Sequence, residues 1–342
     1  MATFYQTFTS DSSPPKLYIG LVAKGKSLAF AKFKNLFHKS AFLHLTFSLF
    51  ILSQFFLSGF LYLTGAKSLY TPIAFSLLFL TISSYALIAY YQKNRKLDSM
   101  EKIAKDFLHY CTLHLSKNIE DREKLHLAIA ESIRDFAQAL HNQELFYLNI
   151  YPFKFSKNHI ISYFLYFHYN DILYLQEKLL DICLDLHSKV LEDCACSLQF
   201  HSSLSKTYTA LSNCYKKPSG RHLEKAFKFS NFTKFKELME RQINYYTLAE
   251  EELFIVCELS QNETWTHLDL ASFYAQFDQT EKEMKQYEIL IDQISDDKEV
   301  MYKLGILYFK HLKTSKGLKI YSKLRKLDAL YAKNLLSHYN AL

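Results

Sequence analysis

Cys183, His187, Cys194 and His201 are the residues whose types and spacing come closest to a chemical site in this 342-residue sequence. Thiolate and imidazole together suit zinc. The steps from His187 to Cys194 and from Cys194 to His201 are both seven, so on a helix they run along one side, roughly 10 Å apart per step. A zinc ion needs its ligands at about 2.0–2.3 Å. One ion cannot collect such a stripe, and Cys183 with His187 supplies two ligands at most. The stripe reads as helix packing, and no metal is expected. Glu250, Glu251 and Glu252 are sequence neighbours, so they point around a helix rather than converging as an acid–base pair. They read as a solvated face. No HExxH, GxSxG or GxGxxG is present. No catalytic residue and no cofactor are expected, and the chain is not read as an enzyme.

The elements that position these residues are helical by composition. Seven Gly and five Pro are few for this length, while Leu, Lys, Ala and Glu recur in unbroken runs. The expected class is all-α. Six Cys are scattered with no CxxC, which fits reduced thiols in a reducing compartment. The net charge of +7 is uneven: residues 1–40 carry six Lys against one Asp, and residues 92–342 come to about +1. A nucleic-acid reader needs a basic face on its folded domain. Net charge does not supply one, and nucleic acid is not expected as a partner.

Ala41 to Leu63 holds 23 residues without Asp, Glu, Lys or Arg, and Ser68 to Gln92 is equally free of them. At about 1.5 Å per residue each run spans roughly 34 Å, enough for a hydrocarbon core of roughly 30 Å. Two transmembrane helices are expected, joined by the short turn Thr64–Ser68. Lys32, Lys34 and Lys39 precede the first run, Lys93, Arg95 and Lys96 follow the second, and the turn has only Lys67. The positive-inside rule then puts both termini on the cytoplasmic side. Tyr62, Tyr70, Tyr90 and Tyr91 sit where aromatic rings suit the interface. A cleavable signal peptide is a poor fit, since its charged start would be 40 residues long. Gln54, near the middle of the first run, either bonds across helices, including between subunits of a homo-oligomer, or faces its own hairpin partner. His44, near the inner end, is expected to reach the interface.

The start, residues 1–15, is rich in Ser and Thr and reads as disordered. Such a start resembles the secretion signals of needle-type export systems. In residues 24–39, Lys24, Lys26, Lys32, Lys34 and Lys39 alternate with Leu28, Phe30, Phe33, Leu36 and Phe37. Two readings stand side by side: a basic amphipathic helix lying on an anionic leaflet, or an ordinary positive-inside flank.

Helical periodicity begins at Lys93, with Met100, Ile103, Phe107, Tyr110 and Leu113 at spacings of three or four, then Leu125, Ile129, Ile133, Phe136 and Leu140. Laying Thr264–Asp297 over Lys298–Tyr331 at an offset of 34 matches Leu270 with Leu304, Ala271 with Gly305, and Tyr274 with Tyr308. Lys282 meets Lys316, Tyr287 meets Tyr321, and Leu290 meets Leu324. Thr280 with Glu283 forms a capping-box pattern at the second helix. Leu211, Ser212, Tyr215 and Ala226 form a weaker copy with a longer turn at Pro218–Gly220.

This pattern resembles the tetratricopeptide repeat, two antiparallel helices in 34 residues. The resemblance is clear over about 68 residues. It implies a helical solenoid whose first helices line a concave groove that binds a protein or peptide. Trp265, Leu268, Tyr302, Ile306, Phe309 and Lys310 would line it. A second reading has Trp265 and Phe309 packing one repeat on the next. Leu268 and Ser272 stand where carboxylate-clamping members carry polar clamp residues, which argues against that mode.

The expected organisation is a disordered start and basic flank over 1–40, a membrane hairpin over 41–92, a helical region over 93–200, and tetratricopeptide-like repeats over 201–342. The leading expectation is a membrane-anchored adaptor, most simply in a bacterial inner membrane, with the repeats binding a protein on the cytosolic face. The alternative is a secreted effector. Two close membrane helices after a Ser/Thr-rich start resemble, in layout, bacterial inclusion membrane proteins, whose helical domains would face the host cytosol.

Overall fold

The computed structural model describes residues 16–63, 70–140, 157–191, 196–216, 232–261 and 263–340. The expected turn Thr64–Ser68, the start 1–15, Cys194, Pro152 and Pro218–Gly220 lie outside the described residues. The described residues are all-α and contain no strand. Two compact units divide the chain, one built on residues 14–186 and the other on residues 187–216 and 231–342.

The first unit holds α1 (Lys16–Leu63), α2 (Tyr70–Leu115), α3 (Arg122–Leu140) and α4 (Lys157–Ser188), the last of which ends in the second unit. α1 and α2 are antiparallel: Gly25 lies by Tyr110, Lys32 pairs with Asp106, and His44 bonds Tyr85, in reverse order along the two chains. Both helices run unbroken through residues 40 and 92, where composition suggests domain boundaries. A change in side-chain character does not interrupt backbone hydrogen bonding, so each helix carries two surfaces in series. Over residues 42–91 large apolar side chains point outward; Phe56 is 68% exposed and Phe79 74%. Over residues 25–37 and 100–115 most apolar side chains turn inward: Phe33, Phe37, Met100 and Phe107 are buried, while Leu28 and Leu113 stay exposed.

That inward packing settles the basic segment. Phe30 meets Phe136 of α3 edge-on at 5.2 Å, and Phe107 meets the same ring at 4.8 Å. Lys26 pairs with Asp135 at 3.1 Å, Lys32 with Asp106 at 2.6 Å, and Lys96 with Asp171. The reading of residues 24–39 as a helix lying on a leaflet is therefore corrected: its apolar stripe is occupied by α2 and α3. A β-carbon at Gly25 would stand 2.5 Å from the Tyr110 ring, so glycine permits this approach.

His44 joins the two helices of the hairpin: its Nδ1 lies 2.8 Å from the Tyr85 hydroxyl, inside the apolar half. Gln54 Oε1 is covered and has no hydrogen-bond partner among the described residues.

The second unit holds α5 (Leu198–Tyr215), α6 (Phe232–Leu259), α7 (Thr264–Gln276), α8 (Thr280–Gln293), α9 (Lys298–Lys310), α10 (Thr314–Leu327) and α11 (Ala329–Asn340). Ser197 caps α5 by accepting from Phe200 N–H, and Asp297 caps α9 by accepting from Glu299 and Val300 N–H. Asp328 caps α11 through Leu330 and Tyr331 N–H. The pairs α7–α8 and α9–α10 match in helix length and start 34 residues apart. Their turns match as well. Asp278 and Leu312 each take φ 57°. Gln279 N–H bonds Tyr274 C=O at 2.9 Å, and Lys313 N–H bonds Tyr308 C=O at 2.8 Å. These backbone bonds close the turn without a side-chain cap. The expected Thr280–Glu283 capping box is accordingly absent: α8 starts on Thr280, its N-cap is Gln279, and no side chain caps it.

Leu270, Leu304, Ala271, Gly305, Tyr274, Tyr308, Leu290 and Leu324 are all buried, as one packing face per helix requires. A β-carbon at Gly305 would come within 2.7 Å of Leu335, which is why the small residue recurs there. Leu211, Ser212 and Tyr215 of α5 are buried too, while Ala226 lies outside the described residues.

Candidate partner-binding surface

The six expected groove residues divide into three groups. Trp265 and Leu268 of α7 and Ile306 of α9 are half-buried; Leu268 and Ile306 rest on the core shared by α7 to α11. Trp265 donates its indole N–H to Glu263 Oε2 at 2.6 Å, and Lys310 is exposed. Tyr302 rests against α11, 5.7 Å from Tyr331 and 6.1 Å from His338. Phe309 is the correction. It is buried, stacks on Tyr339 at 4.6 Å, and fills the space opposite Gly317. Helical register places Phe309 on the same side as Tyr302 and Ile306, but the missing side chain at Gly317 lets its ring sink into the core. Trp265, Leu268, Tyr302 and Ile306 each keep part of their surface exposed, and Lys310 is exposed.

Electrostatic clamps hold the helices that carry this surface. Glu288 of α8 accepts from the Tyr308 hydroxyl and from Lys316 Nζ at 2.9 Å. Lys316 stands 5.4 Å from the Tyr308 ring centre. Thirty-four residues earlier in the paired positions, Lys282 stands 5.4 Å from the Tyr274 ring and bonds Glu250 at 2.7 Å. The Tyr308 hydrogen bond, aided by Lys316 and opposed by burial, holds the Glu288 carboxyl below its ordinary value of 4.5. Burial and the Glu288 bond push Tyr308 upward. A carboxyl with a lowered folded-state pKa stabilises the fold above its unfolded pKa and loses that contribution as pH falls through the folded value. Glu288→Gln should therefore cost stability at pH 7, with the gap to wild type closing below about pH 4.5. Urea midpoints of the detergent-solubilised chain across that range check this; a gap independent of pH refutes it.

The residues with chemical potential are engaged structurally. Burial pushes the Cys183 thiol up to about 12, and its Sγ lies 3.4 Å from Ala130 C=O. Cys111 is likewise pushed up to about 12 by burial. His187 Nε2 meets Ser203 Oγ at 3.1 Å, and His201 Nδ1 meets Glu252 Oε2 at 2.6 Å. No group of three or more His, Cys, Asp or Glu among the described residues could hold a metal. The acidic triplet is not a wholly solvated face: Glu250 and Glu252 are bonded to Lys282 and His201, and Glu251 is exposed.

One feature escaped sequence reasoning because it averages out. Residues 231–297 hold fifteen acids against five Lys and Arg, net −10, while residues 298–342 hold ten Lys and Arg against two acids, net +8. Summed over 92–342 the two blocks nearly cancel. The signal lies in the split, and counting charge by helix pair reveals it.

No protein-family model and no curated protein matches this sequence.

Proposed function

We propose that the chain is a two-pass membrane protein whose tetratricopeptide-like helices bind a protein partner at the cytosolic face. The observation that carries the anchor is the outward apolar surface of α1 and α2. Both helices are long and apolar enough to cross a membrane, and the spans are not covered by the other described residues. A soluble core helix of that composition would be buried, since burial is what its apolar surface gains from folding. Lys39, Lys93 and Arg95 are exposed where the apolar halves end, which supports cytosolic termini.

The partner surface is read from α7 and α9. The matched turns, the matched Tyr–Lys contacts and the 34-residue spacing support a tetratricopeptide-like stack. Trp265, with Leu268 and Ile306 behind it and Lys310 at the edge, offers an aromatic and cationic anchor of the kind that dominates binding energy. The test is site-specific photocrosslinking in native membranes. Crosslinkers at 265 and 310 should capture the same protein, and one at Glu281 should not. Trp265→Ala with Lys310→Glu should weaken that partner's binding by about tenfold or more, as loss of a hot-spot anchor does. Unchanged binding by the double variant sinks the assignment.

A further inference from the structure

We infer that the solvent-facing side of α10, with the turns at either end, docks on the anionic surface of the bilayer. This rests on the reading that α1 and α2 anchor the chain there. Three observations carry it.

The first is charge without partners. α10 buries Gly317, Ile320 and Leu324 on one side. Lys319, Lys323, Arg325 and Lys326 are exposed around the rest of the helix, and none of them forms an ion pair among the described residues. Only Lys316 is committed, to Glu288. Elsewhere in the same unit Lys282 and Lys298 are paired with acids, while Lys285, Lys310, Lys313 and Lys333 are also exposed without an ion pair among the described residues; α10 differs in carrying four such cations on one helix.

The second is apolar surface among those cations. Leu312 is 88% exposed, Leu330 65% and Leu318 47%. Leu318 lies on α10 itself, Leu312 in the turn before it and Leu330 at the start of α11; exposed leucines on and beside a basic helix suit the boundary between headgroups and acyl chains. They offer little to nucleic acid, whose single strands are gripped by aromatic stacking; the one aromatic residue of α10, Tyr321, is half-buried.

The third is strain. Leu312 holds φ 57°, a left-handed conformation that a branched side chain resists and that Gly or Asn takes easily. The matching turn uses Asp278. The fold gains no burial from a leucine at this position, which leaves its side chain free to enter a bilayer surface. The net charge of −10 over residues 231–297 adds direction, because an anionic surface repels that block and attracts the C-terminal one.

The test uses the full chain in nanodiscs of neutral lipid or with about a third anionic lipid, followed by hydrogen exchange in peptides covering residues 312–330. Exchange should slow in the anionic discs and return to the neutral-disc rate at high salt. Each charge reversed in Lys319→Glu, Lys323→Glu and Lys326→Glu should lower the docked-to-free ratio about fivefold or more. Leu312→Asn, which eases the turn and so cannot act by unfolding it, should weaken protection without removing its salt dependence. Equal exchange in the two lipids overturns the inference. So does protection that tracks protein concentration instead of lipid charge, which marks a second copy, or protection that requires added oligonucleotide. A chain that fails to stay with neutral discs refutes the anchor instead; its flotation with anionic vesicles then still reads the basic face.

Discussion

Aspartate at both Leu52 and Leu80 should release the chain from membranes. Each leucine lies near the middle of an apolar run and is more than half exposed. In water such a change is innocuous, since it swaps an exposed leucine for a solvated carboxylate. In a bilayer each acid at mid-depth costs about 2.5–3.5 kcal/mol, and two of them remove about 5–7 kcal/mol from insertion if the costs add. The two environments thus predict opposite results from one variant. Alkaline extraction of membranes reads the outcome: wild type stays in the pellet and the double variant moves to the supernatant. Leu28→Asp with Leu113→Asp is the control, because those leucines are also exposed but lie outside the apolar runs. Release by the control pair, or retention of the Leu52/Leu80 variant, overturns the anchor.

Gly317→Ala should loosen the C-terminal helices, although alanine is the better helix former by about 1 kcal/mol. The added carbon would stand 2.5 Å from Phe309 Cε1, 2.8 Å from Cδ1 and 2.9 Å from Cζ. The ring cannot step aside freely, since it is buried and Tyr339 lies at 4.6 Å. Overpacking of this kind costs about 1–3 kcal/mol, so the steric loss exceeds or cancels the helical gain. Phe309→Ala should cost more, about 3–5 kcal/mol, from lost burial and a cavity. The diagnostic is the pair: in the Phe309→Ala background, Gly317→Ala should become stabilising, because the obstruction is gone. Gly20→Ala is the internal control, with nothing within 4 Å of its added carbon. Denaturant midpoints with helical signal measure all four variants. A Gly317→Ala protein clearly more stable than wild type refutes the contact.

What could be read from the sequence was local. Leu270, Tyr274, Leu304 and Tyr308 declare themselves because a helix repeats its inward face every three or four residues, and their burial follows. The apolar runs were legible for a similar reason, since only length and the absence of charge are needed. Phe309 was not legible from its own helix. Its fate is decided by Gly317, a residue of the next helix, and a glycine in a helix does not say what approaches it. The basic segment failed in the same way. Lys26 and Lys32 find Asp135 and Asp106, which lie 109 and 74 residues away. No periodicity within residues 24–39 announces those partners, so the segment resembled a surface helix when it is one wall of a packed bundle. At Glu250 and Glu252 the neighbours point apart, as helix geometry dictates, yet each meets a different distant cation or imidazole.

The continuity of α1 and α2 has a mechanical consequence. A helix that passes from an apolar surface to a packed one without a break behaves as a rod, and bending it would cost backbone hydrogen bonds. Residues 16–40 of α1 extend roughly 37 Å beyond the apolar run, and the ion pairs to α2 and α3 stiffen that length. Membrane helices adjust their tilt to the thickness of the bilayer around them. A tilt change of about 10° at the apolar half would swing the far end of the rod by roughly 6 Å. If α1 and α2 span a bilayer as proposed, its thickness would be converted into displacement at the far end of that rod, with no hinge between to absorb it.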